Sequence, residues 1–139
     1  MTYNIRVGAG RENLLMPVKY LNSSGEKLEK IASAIKSVDP DIISLQEVKG
    51  SVQAKSLADA LGFNYAYVSH GDSRLEWGLA VLSRFTIAEY QQEVLHHDDK
   101  KPRVVLVCTI DLPDSSITVV NVHYALGDYY NQVKETMRI

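Results

Sequence analysis

The rhythm of apolar and polar positions changes partway along this chain, with helical spacing prominent before Gly62 and short strand-like runs after it. Leu28, Ile31, Ala32, Ile35 and Val38 recur at helical intervals, with Ser23-Ser-Gly-Glu26 ahead of them as a capping box and Pro40 behind as a stop. A second helix is predicted from about Ser51 to Leu61, with Ala54, Leu57, Ala58 and Leu61 on one face and Gly62 as its terminator. Between the two, Asp41-Ile-Ile-Ser-Leu-Gln46 is short, apolar and rich in β-formers, which predicts a buried strand. Thr2 to Val7 reads as a short opening strand ended by Gly8-Ala9-Gly10, and the stretch through Pro17, Tyr20 and Asn22 as a loop.

After Gly62 the strand-like runs are Phe63 to Ser69, Gly78 to Arg84, Ile87 to Leu95, Arg103 to Asp111 and Ile117 to Val122. Turn chemistry separates them at His70-Gly-Asp-Ser73, His96 to Pro102 and Pro113-Asp-Ser-Ser116. An amphipathic segment, Tyr129 to Ile139, begins a last helix. The order βαβα followed by mainly antiparallel strands predicts an α+β domain, with no internal repeat, low-complexity stretch or interdomain linker.

Composition narrows the classes. A chain of 139 residues, 45% apolar and 23% charged, forms one ordinary globular domain with a modest core. Its net charge of -2 argues against a general attraction to polyanions, so a nucleic-acid substrate would need local basic groups or a metal to hold it. The single cysteine, Cys108, excludes an internal disulfide framework and any multi-cysteine zinc site, and its place in Val104-Val-Leu-Val-Cys108 makes it a small buried hydrophobe. No apolar run reaches membrane-spanning length, and no signal-peptide pattern opens the chain, which points to the cytoplasm.

The candidate chemistry lies where apolar strands end in polar residues, because such groups project into the crevice where ligands sit. The places of this form are Asn4 in Thr-Tyr-Asn-Ile, Gln46-Glu47 after Asp-Ile-Ile-Ser-Leu, and His123 after Thr-Val-Val-Asn-Val. A carboxylate, a carboxamide and an imidazole together suit a hard cation and a phosphate: Mg²⁺ takes oxygen ligands, few of them carboxylates, and histidine hydrogen-bonds a phosphate oxygen or moves a proton. His96-His97-Asp98-Asp99 is a weaker cluster, since consecutive residues of an extended loop do not converge on one ion.

At these residues the chain resembles the endonuclease/exonuclease/phosphatase (DNase I-like) superfamily. Thr2-Tyr-Asn-Ile-Arg6, Asp39-Pro-Asp-Ile-Ile-Ser-Leu-Gln-Glu-Val48, Glu76-Trp-Gly-Leu-Ala-Val-Leu-Ser-Arg-Phe85 and Val119-Val-Asn-Val-His123 are similar to four motifs of that family, in its order, from residue 2 to residue 123. The resemblance implies a Mg²⁺- or Mn²⁺-dependent phosphoester hydrolase, of nuclease or phosphatase type. It implies that Glu47 and Asn4 bind the metal, that His123 contacts the scissile phosphate, and that Glu76 orients the His123 ring and raises its pKa. Arg84 stands where the family keeps an Arg and is either a phosphate contact or a structural ion-pair partner. Asn121 is read as structural. His123 at its position is more like the DNase, sphingomyelinase and phosphoinositide-phosphatase branches, and DNA, RNA, lipid headgroup and sugar phosphate all stay open as substrates.

The family pattern is also incomplete here. No Gly-Asp-Phe-Asn-like segment and no late Ser-Asp-His-like segment is present; Gly127-Asp128-Tyr129 is read as the opening of the last helix rather than a replacement. Arg6 stands where relatives carry an acidic residue or His, and would repel a metal or reach for a phosphate. The implied fold is one half of an αββα four-layer sandwich, with residues 1–139 as a single domain cut short at its C-terminus. This chain is expected to supply the first sheet and its two helices. The partner sheet would then come mostly from a missing C-terminal half, or a dimer partner would cover the exposed apolar face. The competing class is a non-catalytic module that keeps the fold to bind a phosphate-bearing ligand or a protein. A flavodoxin-like domain suits the opening βαβα but lacks a glycine-rich phosphate loop.

Overall fold

A computed structural model of the chain describes residues 1–6, 25–71, 77–95, 103–125 and 129–139. The Gly8-Ala9-Gly10 turn, Ser23, Glu76, the His96–Asp99 cluster and Asp128 lie outside the described residues. The elements run β1 (Thr2–Asn4), α1 (Gly25–Val38), β2 (Ile42–Lys49), α2 (Gly50–Leu61), β3 (Asn64–Ser69), β4 (Trp77–Ser83), β5 (Ile87–Leu95), β6 (Arg103–Leu112), β7 (Ser115–Val122) and α3 (Tyr129–Thr136).

Both main helices end where their sequences demand it. Asp39 turns to a positive φ of 52° with its N–H on Ile35 O, and Pro40 prevents another turn. Gly62 caps α2 in the left-handed region, where a Cβ would strain the backbone, and Phe63 N–H returns to Ala58 O. The opening strand is shorter than expected. Asn4 Oδ1 accepts the N–H of Arg6 at 3.0 Å, and this side-chain turn, with Arg6 at φ 49°, takes the backbone out of the strand.

Four strands form a first sheet in the order β1-β2-β4-β3, parallel between β1 and β2 and antiparallel elsewhere. Its two faces are read off alternate positions. Ile43, Leu45, Ala80 and Leu82 meet Ile35 of α1 and Ala54, Leu57 and Ala58 of α2, all essentially buried. Each fully buried Leu or Ile of this cluster contributes about 2 kcal/mol. Leu79 and Val81 on the opposite face join Ala66 and Val68 of β3 in a second cluster. β4 is therefore covered on both sides, which explains its nearly continuous apolar run.

What covers the second face corrects the sequence reading. Strands β5-β6-β7 form a separate antiparallel sheet, and Val104, Leu106, Cys108 and Ile110 of β6 complete the second cluster. The chain thus builds part of its own partner sheet, and the inner face over β3 and β4 is filled rather than bare. Apolar exposure falls instead on the second sheet, at Tyr90, Val94, Ile117 and Val120. Cys108 is fully buried there, and burial pushes its thiol up to about 12, so it packs as a small hydrophobe. Among the described residues no helix is long and apolar enough to cross a membrane.

Candidate active site

The site begins with an irregularity in β2. Ile43 and Leu45 alternate onto the helix-covered face, but the next residue in that core is Val48, not Glu47. The β2–β4 register shifts between Gln46 and Val48, and Glu47 takes a positive φ of 54°. A bulge thus removes Glu47 from an apolar core position and turns its carboxylate to the strand end. A left-handed non-glycine residue costs about 1 kcal/mol or more and persists only where its surroundings hold it, so the observed outlier points toward function.

Its surroundings include Asn4, at the carboxyl end of the neighbouring parallel strand. Asn4 Nδ2 donates to Glu47 Oε1 at 2.9 Å, while Asn4 Oδ1 takes the Arg6 N–H. His123 approaches from the second sheet, its Nε2 3.8 Å from the same Oε1. The Glu47 and His123 side chains are 19% and 24% exposed, enough to meet a ligand. The 3.8 Å gap exceeds a hydrogen bond, and an oxygen atom of water or ligand would bridge it.

Two motif residues beside these groups hold the sheets in register. Asn121, on the inner face of β7, donates through Nδ2 to Leu45 O and Ala80 O, each at 2.9 Å. Its Oδ1 accepts Gln46 Nε2 at 2.8 Å, and the same Nε2 lies 3.1 Å from Thr2 Oγ1. Asn121 is therefore structural, as its sequence position suggested, but it ties sheet to sheet. The ties sit one residue before Glu47 and two before His123, and so set the separation of the candidate pair.

Two further side chains lie close to His123. Arg103 Nη1 lies 3.5 Å from His123 Nδ1, and the His70 ring centroid is 6.3 Å from that of His123. Burial first, then the Arg103 guanidinium, pulls the His123 imidazole below its ordinary range, while Glu47 pulls it upward. Burial and Arg103 outweigh the Glu47 carboxylate here; the partner expected from the sequence, Glu76, lies outside the described residues. A guanidinium only donates, so a hydrogen bond from Arg103 to Nδ1 calls for the tautomer with the ring proton on Nε2, the nitrogen nearer Glu47.

His70 is more deeply buried, and burial, Arg103 and His123 together lower it to about 4. The sign of its effect on stability follows. The folded state resists a proton that the unfolded chain accepts near its ordinary value of 6.5, so stability is full above that pH and falls as pH drops toward 4. The loss attributable to His70 between pH 7 and pH 4 is about 3 kcal/mol. Urea unfolding at the two pH values should show a His70→Phe chain losing that much less than the parent; equal losses would remove His70 as the cause.

Arg84 is not at this site. β4 runs antiparallel to β2, so Arg84 reaches the start of β2 while Glu47 stands near its end. Its N–H bonds Asp41 O, its guanidinium pairs with Asp39 and lies 3.6 Å from Asp41, and it stacks over Phe63. At about 3.3 Å per residue, the six residues from Asp41 to Glu47 put roughly 20 Å of strand between Arg84 and Glu47. The structure places Arg84 in an ion pair at the opposite end of β2 from Glu47.

The described residues contain no group of three or more His, Cys, Asp or Glu side chains able to hold a metal. That excludes a zinc-type cage among them. One carboxylate with a neighbouring carboxamide is instead the sparse oxygen set that a hydrated hard cation accepts.

Comparison with known proteins agrees with this architecture. Residues 1–135 match the model of the endonuclease/exonuclease/phosphatase family. The chain belongs to that family. It is 29% identical over 127 residues to the uncharacterized protein YbhP of Escherichia coli (strain K12), covering 79% of this chain and 50% of that protein. The chain thus spans about half the length of the curated relatives it matches. Among solved structures, the mannosyl-6-phosphatase of Bacteroides thetaiotaomicron VPI-5482 superposes with a TM-score of 0.73 at 22% identity, over 99% of this chain and 57% of that one. ANGEL2, a 2',3'-cyclic phosphatase, superposes with a TM-score of 0.71 at 22% identity, over 95% and 44% of the two chains. These likenesses establish the DNase I-like fold.

Proposed function

We propose that the chain carries a phosphoester-hydrolysing site that works with a divalent cation, Mg²⁺ or Mn²⁺. The observation that supports this most is the meeting of Glu47, Asn4 and His123, from three strands of two sheets, at one partly open place. Glu47 would hold the cation, with Asn4 at the same ion directly or through water. When bound, the cation supplies electrostatic stabilisation of charge developing on a phosphoryl oxygen. His123 offers its Nε2–H to a phosphate oxygen in the gap beside Glu47, and Arg103 behind the ring keeps that proton on the ligand side. Glu76 is proposed as the carboxylate that orients His123. The substrate is a phosphate ester; the phosphatase activities named for two fold neighbours support that class, and nucleic acid stays open within it.

A second reading is favoured by the absence of the Gly-Asp-Phe-Asn-like and Ser-Asp-His-like segments from the 139 residues. In that reading the same groups bind a phosphate-bearing ligand without turning it over. In the hydrolase reading, a second copy of the chain, or further sequence of the kind the longer relatives possess, would supply the remaining catalytic groups. The deciding experiment is hydrolysis of bis-p-nitrophenyl phosphate by the purified chain with Mg²⁺, with Mn²⁺ and with EDTA. Turnover that needs the metal establishes the hydrolase. A folded sample with no turnover under any condition means that essential catalytic groups lie beyond these 139 residues, or that the chain only binds.

A further inference from the structure

His70 is the first residue after β3, and its backbone N–H donates to Trp77 O at 2.8 Å, which anchors it to the start of β4 in the first sheet. Its side chain crosses to the second sheet: Nδ1 accepts the N–H of Val104, the second residue of β6, at 3.3 Å. Val104 pairs with Val94 of β5 on one side, while the β6–β7 ladder stops at the pair Val105 and Val122, and the Val104 N–H is given to His70. Arg103, the neighbour of Val104, is the residue whose guanidinium meets His123 Nδ1. The imidazole thus fastens the backbone one residue from the group that contacts the candidate catalytic ring.

Core filling does not account for a histidine here. His70 is 4% exposed, and among the described residues its Nε2 has no hydrogen-bond partner. A buried unpaired donor costs about 1–3 kcal/mol, whereas a phenylalanine would fill similar space without one. What imidazole adds over an apolar ring is the acceptor at Nδ1, and burial keeps that acceptor free of a proton.

We propose that His70 is a positioning residue of the candidate phosphoester site, a latch between the sheets that holds Arg103 against His123. The proposal rests on the reading of His123 as a site residue and deepens it. It concerns an arrangement of rings and strands, so it can be tested without turnover, and its failure is distinguishable from failure of the hydrolase reading.

The test is ring-nitrogen NMR of the ¹⁵N-histidine-labelled, full 139-residue chain at pH 7, for the parent, His70→Phe, His70→Asn, Arg103→Gln and the His70→Phe/Arg103→Gln double variant. Asparagine places an oxygen acceptor near the position of Nδ1. Loss of the latch should shift the His123 Nδ1 resonance toward that of a free acceptor nitrogen in His70→Phe. Arg103→Gln should produce the same shift, the double variant should add nothing to it, and His70→Asn should restore the parent position. A folded His70→Phe chain with the His123 resonances unmoved would overturn the proposal, as would His70→Asn shifting as far as His70→Phe. If His70→Phe does not fold, His70→Asn decides: parent-like His123 resonances support the latch, and displaced ones refute it.

Discussion

Asn121→Asp is expected to abolish stable folding at neutral pH, although it changes one atom of the side chain. Asn121 is 2% exposed and uses its whole amide: Nδ2 serves two carbonyls, on β2 and β4, and Oδ1 serves Gln46. An ionised aspartate would turn an oxygen toward both carbonyls and keep only the Gln46 donor. A protonated one would have a single O–H for two acceptors. Each buried group left unpaired costs about 1–3 kcal/mol, and an unpaired buried charge adds several more. The sum, roughly 5–8 kcal/mol, rivals the whole stability of a domain, which is about 5–15 kcal/mol. Asn121→Leu removes the same bonds without the charge and should lose less, roughly 2–5 kcal/mol. Thermal unfolding followed by circular dichroism separates the three chains. A melting temperature for Asn121→Asp within a degree or two of the parent would refute the account of the sheet-to-sheet tie.

Helices and strands were legible because their signals are local. Pro40 and Gly62 end α1 and α2 where the apolar spacing stops, and alternation in β3 and β6 names the buried faces. The division into two sheets was not legible. Periodicity tells which side chains are inside, but not which strand pairs with which, and β4 and β5 are near neighbours in sequence that belong to different sheets. The same gap applies to Arg84: its motif was recognisable, but only the antiparallel pairing of β2 with β4 shows that it stands at the other end of β2 from Glu47. The rule that polar residues ending apolar strands face a ligand crevice pointed to Asn4, Glu47 and His123, and the structure brings them together. Applied to Ala66, Val68 and the residue two beyond, it would also have found His70. Arg103 had no comparable signal, since a basic residue opening a strand reads as a solvated edge. The bulge at Glu47 carried none either, because no glycine marks its positive φ.

That bulge makes Glu47→Gln the most informative change for chemistry. Glutamine keeps the size of the side chain, can still offer an oxygen to Asn4 Nδ2, and holds the same backbone conformation at the same cost. Stability should therefore move by about 1 kcal/mol or less. Affinity for a hard cation should fall far more, because Glu47 is the carboxylate of the described site and a neutral amide replaces it. If the cation contributes several kcal/mol to the transition state, turnover in any competent form of the protein falls by roughly 10³ or more. Two measurements read this independently. Mg²⁺ or Mn²⁺ should raise the melting temperature of the parent by binding only its folded state, and leave Glu47→Gln unmoved. Metal-dependent phosphodiester hydrolysis, where the parent shows it, should vanish in the variant. A variant that retains the metal-induced shift places the cation elsewhere, and one that retains full turnover removes Glu47 from the chemistry altogether.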